Sequence, residues 1–369
     1  MRAPWKSGVI IAVLGYFVAC APVKFEKAAE PPCGKKGAVC VQSCTAPGSC
    51  TKKYTMTKKI QGLVDILIVN DNSGSMSLNQ KKMANAFSGF LSQLANLQYR
   101  IAMTTTDISD ATADKYGAKP PIQKNRVTSV QDGRLVTIGS SKYFTPAGSE
   151  NAFLNAIEID ETASCDANGY VSCPSNDERG IFAARLAIER NEGSWIRPTA
   201  HMAVIVLSDE DERGRKELWT KGWPLESYDR WENLMGSFQN KFPAKTMSVH
   251  PIVVKDDACA AAETQGGIGA FIGTQYLEWS ATVGGNAGSI CDSNFSANLG
   301  QIASYVQNQA VSLPFECRPM GDAYSVTFNP QPANPPTVTA NWTKMKLEFS
   351  GAIPPNTSVT LKYECKDNK

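Results

Sequence analysis

The sequence predicts an α/β fold: a doubly wound, mostly parallel sheet, followed by a small C-terminal β module and preceded by an N-terminal cysteine-rich segment. Three observations predict it. Residues 62–69 and 201–207 are strand-length apolar runs, rich in β-branched residues and without clean alternation, as in strands buried on both faces of a parallel sheet. Strand-like and helix-like segments alternate between residues 54 and 313, which suits a sheet covered by helices on both sides. From residue 314 the pattern changes to short alternating runs separated by Pro and Asn, the signature of half-buried strands.

Length and charge bound the rest. The chain has 369 residues, enough for one large domain with appendages. Lys and Arg number 37 against 35 Asp and Glu, so no basic face is implied and nucleic acid is not an expected partner. The apolar fraction of 42% is ordinary for a globular protein and argues against long disorder.

In chain order, residues 1–20 read as a targeting segment. Arg2 and Lys6 form a basic start, and residues 9–19 an apolar stretch too short to span a bilayer comfortably. It ends in Phe17-Val18-Ala19-Cys20. Small residues before a cysteine resemble a bacterial lipobox, with Phe17 where Leu is usual. The resemblance implies lipidation at Cys20, a membrane contact through the lipid alone and, since Ala21 follows in place of Asp, the outer membrane of a Gram-negative envelope, facing the periplasm or the surface. Ordinary signal-peptidase cleavage nearby, with Cys20 incidental, is the alternative.

Residues 21–53 are expected to be a linker ending in Pro31-Pro32 and a compact cysteine-rich cap without clear periodicity. The chain has 11 cysteines, and setting Cys20 aside leaves an even number for an oxidising compartment. Two disulfides are expected among Cys33, Cys40, Cys44 and Cys50, connectivity open. Zinc competes there, but the spacing lacks a C-x2-C knuckle. Proximity pairs Cys165 with Cys173; shared modules pair Cys259 with Cys291 and Cys317 with Cys365.

Residues 54–313 carry the α/β pattern. Met83, Phe87, Phe90, Leu91 and Leu94 fall at helical spacing within 79–97. Residues 98–106 read as a strand and 134–138 as an edge strand within an insertion. Helices are expected at 147–159, 177–190, 231–242 and 293–310, and buried strands at 201–207 and 247–254. Cys165 and Cys173 bracket a turn-rich loop. Residues 314–369 form the β module, with strands at 324–328, 344–349 and 358–363.

The chemistry gathers where the first buried strand ends. The apolar run stops at Asp71, and Asp-x-Ser-x-Ser follows: Asp71, Ser73, Ser75. Carboxylate and hydroxyl oxygens on a tight turn are hard ligands, suited to Mg²⁺, Mn²⁺ or Ca²⁺ rather than zinc. In open α/β sheets, ligands collect outside the carboxyl ends of the strands. Taken alone, the same turn also fits an ordinary strand-to-helix turn with Ser75 as a helix cap.

The longer string Asp-Ile-Leu-Ile-Val-Asn-Asp-Asn-Ser-Gly-Ser-Met, residues 65–76, resembles the first strand and metal loop of von Willebrand factor A (vWA) domains with a metal-ion-dependent adhesion site. That resemblance implies a Rossmann-like doubly wound fold, a divalent cation (Mg²⁺, or Mn²⁺ or Ca²⁺) at the top of the sheet, and binding of a protein or surface ligand that supplies a carboxylate. It implies two further ligands. Ser175 precedes Gly180 by the spacing that the family's Thr has from its helix glycine, with Ser in place of Thr. Asp209 follows the second buried strand, as the family's Asp does. Ser175 could instead cap the helix, with Glu178 completing a capping box, and Asp177 nearby could substitute for it. Asp107, Asp177 and Asp211 are candidates for supporting positions around the ion.

The implied role is adhesion or interaction without catalysis. Two other classes fit less of the sequence: an envelope structural or assembly factor using the same site as a fixed contact, and a metal-dependent hydrolase, for which no nucleophile or general base stands in context. The glycine-rich stretch 266–273 neither follows a strand directly nor carries a Walker lysine. His201 and His250 each sit at or inside a strand and read as core residues.

Overall fold

The computed structural model describes residues 38–46, 49–59, 62–118, 130–167, 178–213, 225–243, 245–264, 270–343, 345–350, 353–354 and 356–366. Cys20, Cys33, Cys173, Ser175 and Asp177 lie outside them. So do the targeting segment and the linker.

The chain opens with strands β1 (Ala38–Ala46) and β2 (Ser49–Lys59). The α/β part follows as β3 (Leu63–Asn70), α1 (Ser77–Gln93), β4 (Gln98–Thr105), α2 (Asp110–Lys115), α3 (Glu150–Ile157), α4 (Asp160–Ala167), α5 (Gly180–Arg190) and β5 (His201–Ser208). It continues through α6 (Trp231–Lys241), β6 (Met247–Val253), α7 (Asp257–Thr264), α8 (Thr274–Val283), β7 (Gly288–Ser289) and α9 (Ser296–Val311). The chain closes with β8 (Leu313–Pro314), β9 (Tyr324–Asn329), β10 (Thr337–Asn341), β11 (Lys346–Ser350) and β12 (Ser358–Lys366).

Five strands form a parallel sheet in the order β4-β3-β5-β6-β7. Winding starts at β3, runs outward to β4, then crosses back to β5 and proceeds the other way. The order therefore reverses at the crevice between β3 and β5, where an open α/β sheet leaves room for a ligand. The central strands are buried on both faces, and the alternation of side chains shows it. Val64, Ile66 and Ile68 of β3 pack with Ala203, Ile205 and Leu207 of β5 beneath α1, α3 and α9. Leu67 and Val69 pack with Met202, Val204 and Val206 beneath α5, α6 and α8. Period-two projection onto two apolar layers is why these runs show no polar alternation in sequence.

The antiparallel region is built from both ends of the chain. One sheet has the order β1-β2-β12-β9 and the other β10-β11-β8. They share one core, in which Tyr54, Met56, Leu313, Phe315, Leu347, Phe349, Val359, Leu361 and Tyr363 are buried. Tyr54 stacks on Tyr363 at 5.1 Å between ring centroids. The cysteine-rich segment is thus not an irregular cap. Strands β1 and β2 pair antiparallel, with Cys44 opposite Cys50, and β2 runs along the whole length of β12. The strand that contains Tyr54 pairs with residues more than three hundred positions away, a contact that no local pattern announces.

Other expectations shift for identifiable reasons. Residues 134–138 form no ladder strand. Val136 N–H donates to the Met103 carbonyl (2.8 Å), and a tight Ile138–Ser141 turn ends the pairing before it extends. The helix expected at 147–159 stops at Ile157. There the Ile157 carbonyl accepts from Asn70 Nδ2 (2.8 Å) and the Ile159 N–H donates to Gln80 Oε1 (2.9 Å), so core side chains take the groups a helix would use. A second helix, α4, then carries Cys165 in its last turn; most of the expected loop, with Cys173, lies outside the described residues. The helix expected from residue 177 begins at Gly180. Helices α7 and α8 and strand β10 were not expected.

Cys259–Cys291 and Cys317–Cys365 are disulfides as expected, with Cα separations of 5.7 and 6.3 Å. Cys165 is disulfide-bonded. No helix among the described residues is long and apolar enough to cross a membrane.

Candidate metal centre

The site grows from the carboxyl ends of β3 and β5. The Asp71 N–H donates to the Leu207 carbonyl (2.9 Å), which extends the β3–β5 ladder by one step and sets Asp71 beside Ser208 and Asp209. Asp71 is fully buried. Its Oδ1 accepts from the Ser73 N–H (2.8 Å), and its Oδ2 accepts from the Ser208 hydroxyl (2.6 Å). Gln80 on α1 donates to the Asp71 carbonyl (2.8 Å) and to Thr162 on α4 (3.2 Å), and Thr162 donates to the Asn72 carbonyl (2.9 Å). Two helices therefore hold the loop from behind.

The two loop hydroxyls lie together, with Ser73 Oγ 3.0 Å from Ser75 Oγ. Neither the short 3-10 turn Gly74–Met76 nor α1 has a side-chain cap at its start. The hydroxyls are not spent on helix capping, the alternative that the sequence left open. Ser75 instead lies near the Asp209 carboxyl and favours its charged form.

Asp209 is also buried, at 3% exposure, and its Oδ1 has no hydrogen-bond partner among the described residues. Both carboxyls resist ionisation. Burial raises Asp71 above the usual carboxylate range, against hydrogen bonds from Ser208 and Ser73. Burial raises Asp209 further, with the nearby charges of Asp71 and Glu210 adding to it and Ser75 opposing. Two acids crowded at one strand-end crevice repel, and a cation between them relieves that repulsion.

The donor set fits a hard divalent cation. Asp71, Ser73, Ser75 and Asp209 present carboxylate and hydroxyl oxygens only. No three His, Cys, Asp or Glu side chains converge at metal-binding distance among the described residues, so the site's charge rests on two carboxylates and neutral oxygens. The buried, unpartnered Asp209 Oδ1 is the atom that most needs a ligand. Ser175 and Asp177 fall outside the described residues; the chain re-enters at Glu178, whose carbonyl accepts from the Arg213 N–H (2.8 Å), while the Arg179 N–H donates to the Thr106 carbonyl (3.2 Å).

The supporting acids have separate partners. Asp107 Oδ2 accepts from Asn72 Nδ2 (2.6 Å) and so braces the loop after β3. Asp211 Oδ1 accepts from the Gln275 N–H (2.8 Å) in the first turn of α8.

Three features had no clear signal in the sequence. Ser208, the last residue of β5, grips Asp71; its place before the predicted Asp209 was the one hint. Glu212 is a buried carboxylate at the start of α5, accepting from the Ile181 N–H (2.7 Å), the Phe182 N–H (3.2 Å) and the Tyr276 hydroxyl (3.0 Å). Burial and the charge of Asp229 raise its pKa well above normal. Arg179, with no exposed surface, pairs with Asp229 at 2.7 Å and lies over the Phe182 ring. Gly180 belongs to this packing, since a Cβ there would stand 2.7 Å from the Tyr276 hydroxyl. At the opposite end of the sheet, buried Asp65 takes Arg197 Nε (2.8 Å) and Lys245 Nζ (3.0 Å). His201 and His250 are joined through Ser248 by contacts of 2.8 Å inside the core, and burial lowers both pKa values, His250 to about 3.

No family model matches the chain, and no curated protein does. Among solved structures, the pilus adhesin SpaC of Lactobacillus rhamnosus GG is 10% identical with a TM-score of 0.36, covering 89% of this chain and 43% of its own. The pilus adhesin RrgA of Streptococcus pneumoniae is 12% identical with a TM-score of 0.30, covering 91% and 62%. The adhesive tip pilin of Group B Streptococcus agalactiae is 10% identical with a TM-score of 0.36, covering 91% and 88%. The chain thus spans less than half of SpaC and less than two thirds of RrgA. At such identities and TM-scores the likeness assigns no function.

Proposed function

We propose that this chain is an exported, lipid-anchored protein of the Gram-negative outer membrane whose vWA-type domain binds a protein or surface ligand through a divalent cation. Asp71, Ser73, Ser75 and Asp209 hold Mg²⁺, with Mn²⁺ or Ca²⁺ as substitutes, and Ser175 adds a hydroxyl. A carboxylate of the partner completes the set. The role is binding, not turnover.

One observation carries the reading. Asp71 and Asp209 are buried carboxyls at the ends of adjacent parallel strands, at the crevice where the strand order reverses, with two uncapped hydroxyls between them. Such an arrangement is unfavourable without a cation and favourable with one. The chemistry supplied by the bound ion is charge neutralisation within the site and an attachment point for an incoming carboxylate. The protein's own groups do the rest: Ser208 and the Ser73 N–H aim Asp71, and Gln80 with Thr162 keep the loop from shifting. Because both carboxyls are raised, cation binding displaces protons and tightens with rising pH.

The test is calorimetric titration of the purified chain with Mg²⁺ and Mn²⁺. Wild type should bind with measurable proton release, and Asp71→Ala should not bind while keeping the wild-type circular dichroism spectrum. Equal affinity in the two proteins, or no binding by wild type, overturns the proposal.

A further inference from the structure

A second feature lies against the metal loop on its other side. A cavity of about 240 Å³ opens beside Asn72 and is lined by Thr105, Asp107, Glu158, Asp160 and Glu161 among others, with no Lys or Arg among the described residues of its lining. Two of its lining residues keep a buried polar atom that is not hydrogen-bonded. Asn72 is 5% exposed, and while its Nδ2 donates to Asp107, its Oδ1 accepts no hydrogen bond among the described residues; Thr105 is 2% exposed and its Oγ1 has no hydrogen-bond partner among them. Buried polar atoms of this kind are normally satisfied, so two of them on residues that line one acidic cavity point to a ligand that donates hydrogen bonds.

The choice between a metal ion and an organic cation is made by geometry. Among the described residues, no three acidic, His or Cys side chains converge here at metal-binding distance. The space is also several times larger than a bare ion occupies. A guanidinium or ammonium group on a side chain fits both facts, because its N–H donors spread over separated acceptors.

We propose that this cavity receives a basic side chain of the partner, beside the carboxylate that completes the metal site. The partner segment then carries one acidic and one basic group, read by two sites that share a single loop: Asp71, Ser73 and Ser75 on one side, Asn72 on the other. This refines the metal-mediated reading given above, but the cavity binds a basic group on its own account.

N-acetyl-arginine-N-methylamide is the probe, with the neutral citrulline analogue as control, titrated into the ¹⁵N-labelled full chain with Mg²⁺ present. The arginine compound should shift the Asn72 side-chain NH₂ resonance saturably and bind about tenfold more tightly than the citrulline compound. The double variant Glu158→Gln/Asp160→Asn changes two exposed rim residues. It should weaken the arginine compound about fivefold and leave Mg²⁺ affinity unchanged. Thr105→Val should also weaken it. Equal binding of the two compounds, no saturable shift at Asn72, or displacement of the probe by Ca²⁺ in the Asp71→Ala protein overturns the proposal. Failure of Mg²⁺ binding in wild type, with arginine selectivity retained, overturns only the metal reading.

Discussion

At Asp209 a single carboxyl couples stability to pH and, on the proposed function, to metal. Its folded pKa is raised above the unfolded value. Below about pH 4 it is protonated in both states and contributes no difference. As pH rises through the window up to its folded pKa, the unfolded chain ionises first, and metal-free stability falls. Asp209→Asn removes the ionisation. Without metal, this variant should therefore melt at a higher temperature than wild type at pH 7, and the advantage should shrink as pH falls toward 4. With Mg²⁺ at saturation the order should reverse, because wild type gains the linkage stabilisation and the variant does not. Scanning calorimetry of both proteins across that range, with and without Mg²⁺, decides it; a constant difference at every pH would refute the linkage. Asp71 belongs to the same pair, and its loss of Mg²⁺ binding on substitution by Ala is the companion expectation.

At the scale of elements, α5 is held by a residue far along the chain. Glu212 satisfies the N–H groups of Ile181 and Phe182 at the positive end of the helix and takes the Tyr276 hydroxyl from α8. Two helices on one face of the sheet are thereby fixed to the loop after β5, which also carries Asp209. Glu212→Ala leaves buried donors unsatisfied and should destabilise the protein by about 3 kcal/mol in urea unfolding. Glu212→Gln keeps an acceptor and should cost less. Since the start of α5 adjoins the segment bearing Ser175, the Ala variant should also weaken Mg²⁺ binding. A Glu212→Ala protein with wild-type stability would show that the contact is dispensable.

For the molecule as a whole, the antiparallel region depends on both ends of the chain. Strand β2 lies between β1 and β12, and Tyr54 and Met56 enter the core shared with β8 through β12. The Cys317–Cys365 bridge, with a sequence separation of 48, ties β12 back to the segment after β8. A chain beginning at Gly62 should keep the parallel sheet and bind Mg²⁺. Its antiparallel region should lose amide protection along the side of β12 that pairs with β2, while β9 still pairs with the other side. Hydrogen exchange read by mass spectrometry checks both halves of this statement, and unchanged protection of β12 would contradict it.

What the sequence by itself determined is local. Strands buried on both faces announce themselves as strongly apolar runs, and Asp71, Ser73, Ser75 and Asp209 stand out because they cluster just past the ends of such runs. The parallel sheet and its main helices were legible for that reason, and two disulfides were legible from cysteines that flank shared modules. What only the tertiary structure decided is non-local. The pairing of β2 with β12 joins residues hundreds of positions apart, and the break between α3 and α4 is made by Asn70 and Gln80 from other elements. The grip of Ser208 on Asp71, the hold of Glu212 on α5 and the unpartnered Asn72 and Thr105 beside one cavity depend equally on strand order. A polar residue in a sequence shows its donors and acceptors; only the packed sheet shows which of them have been met.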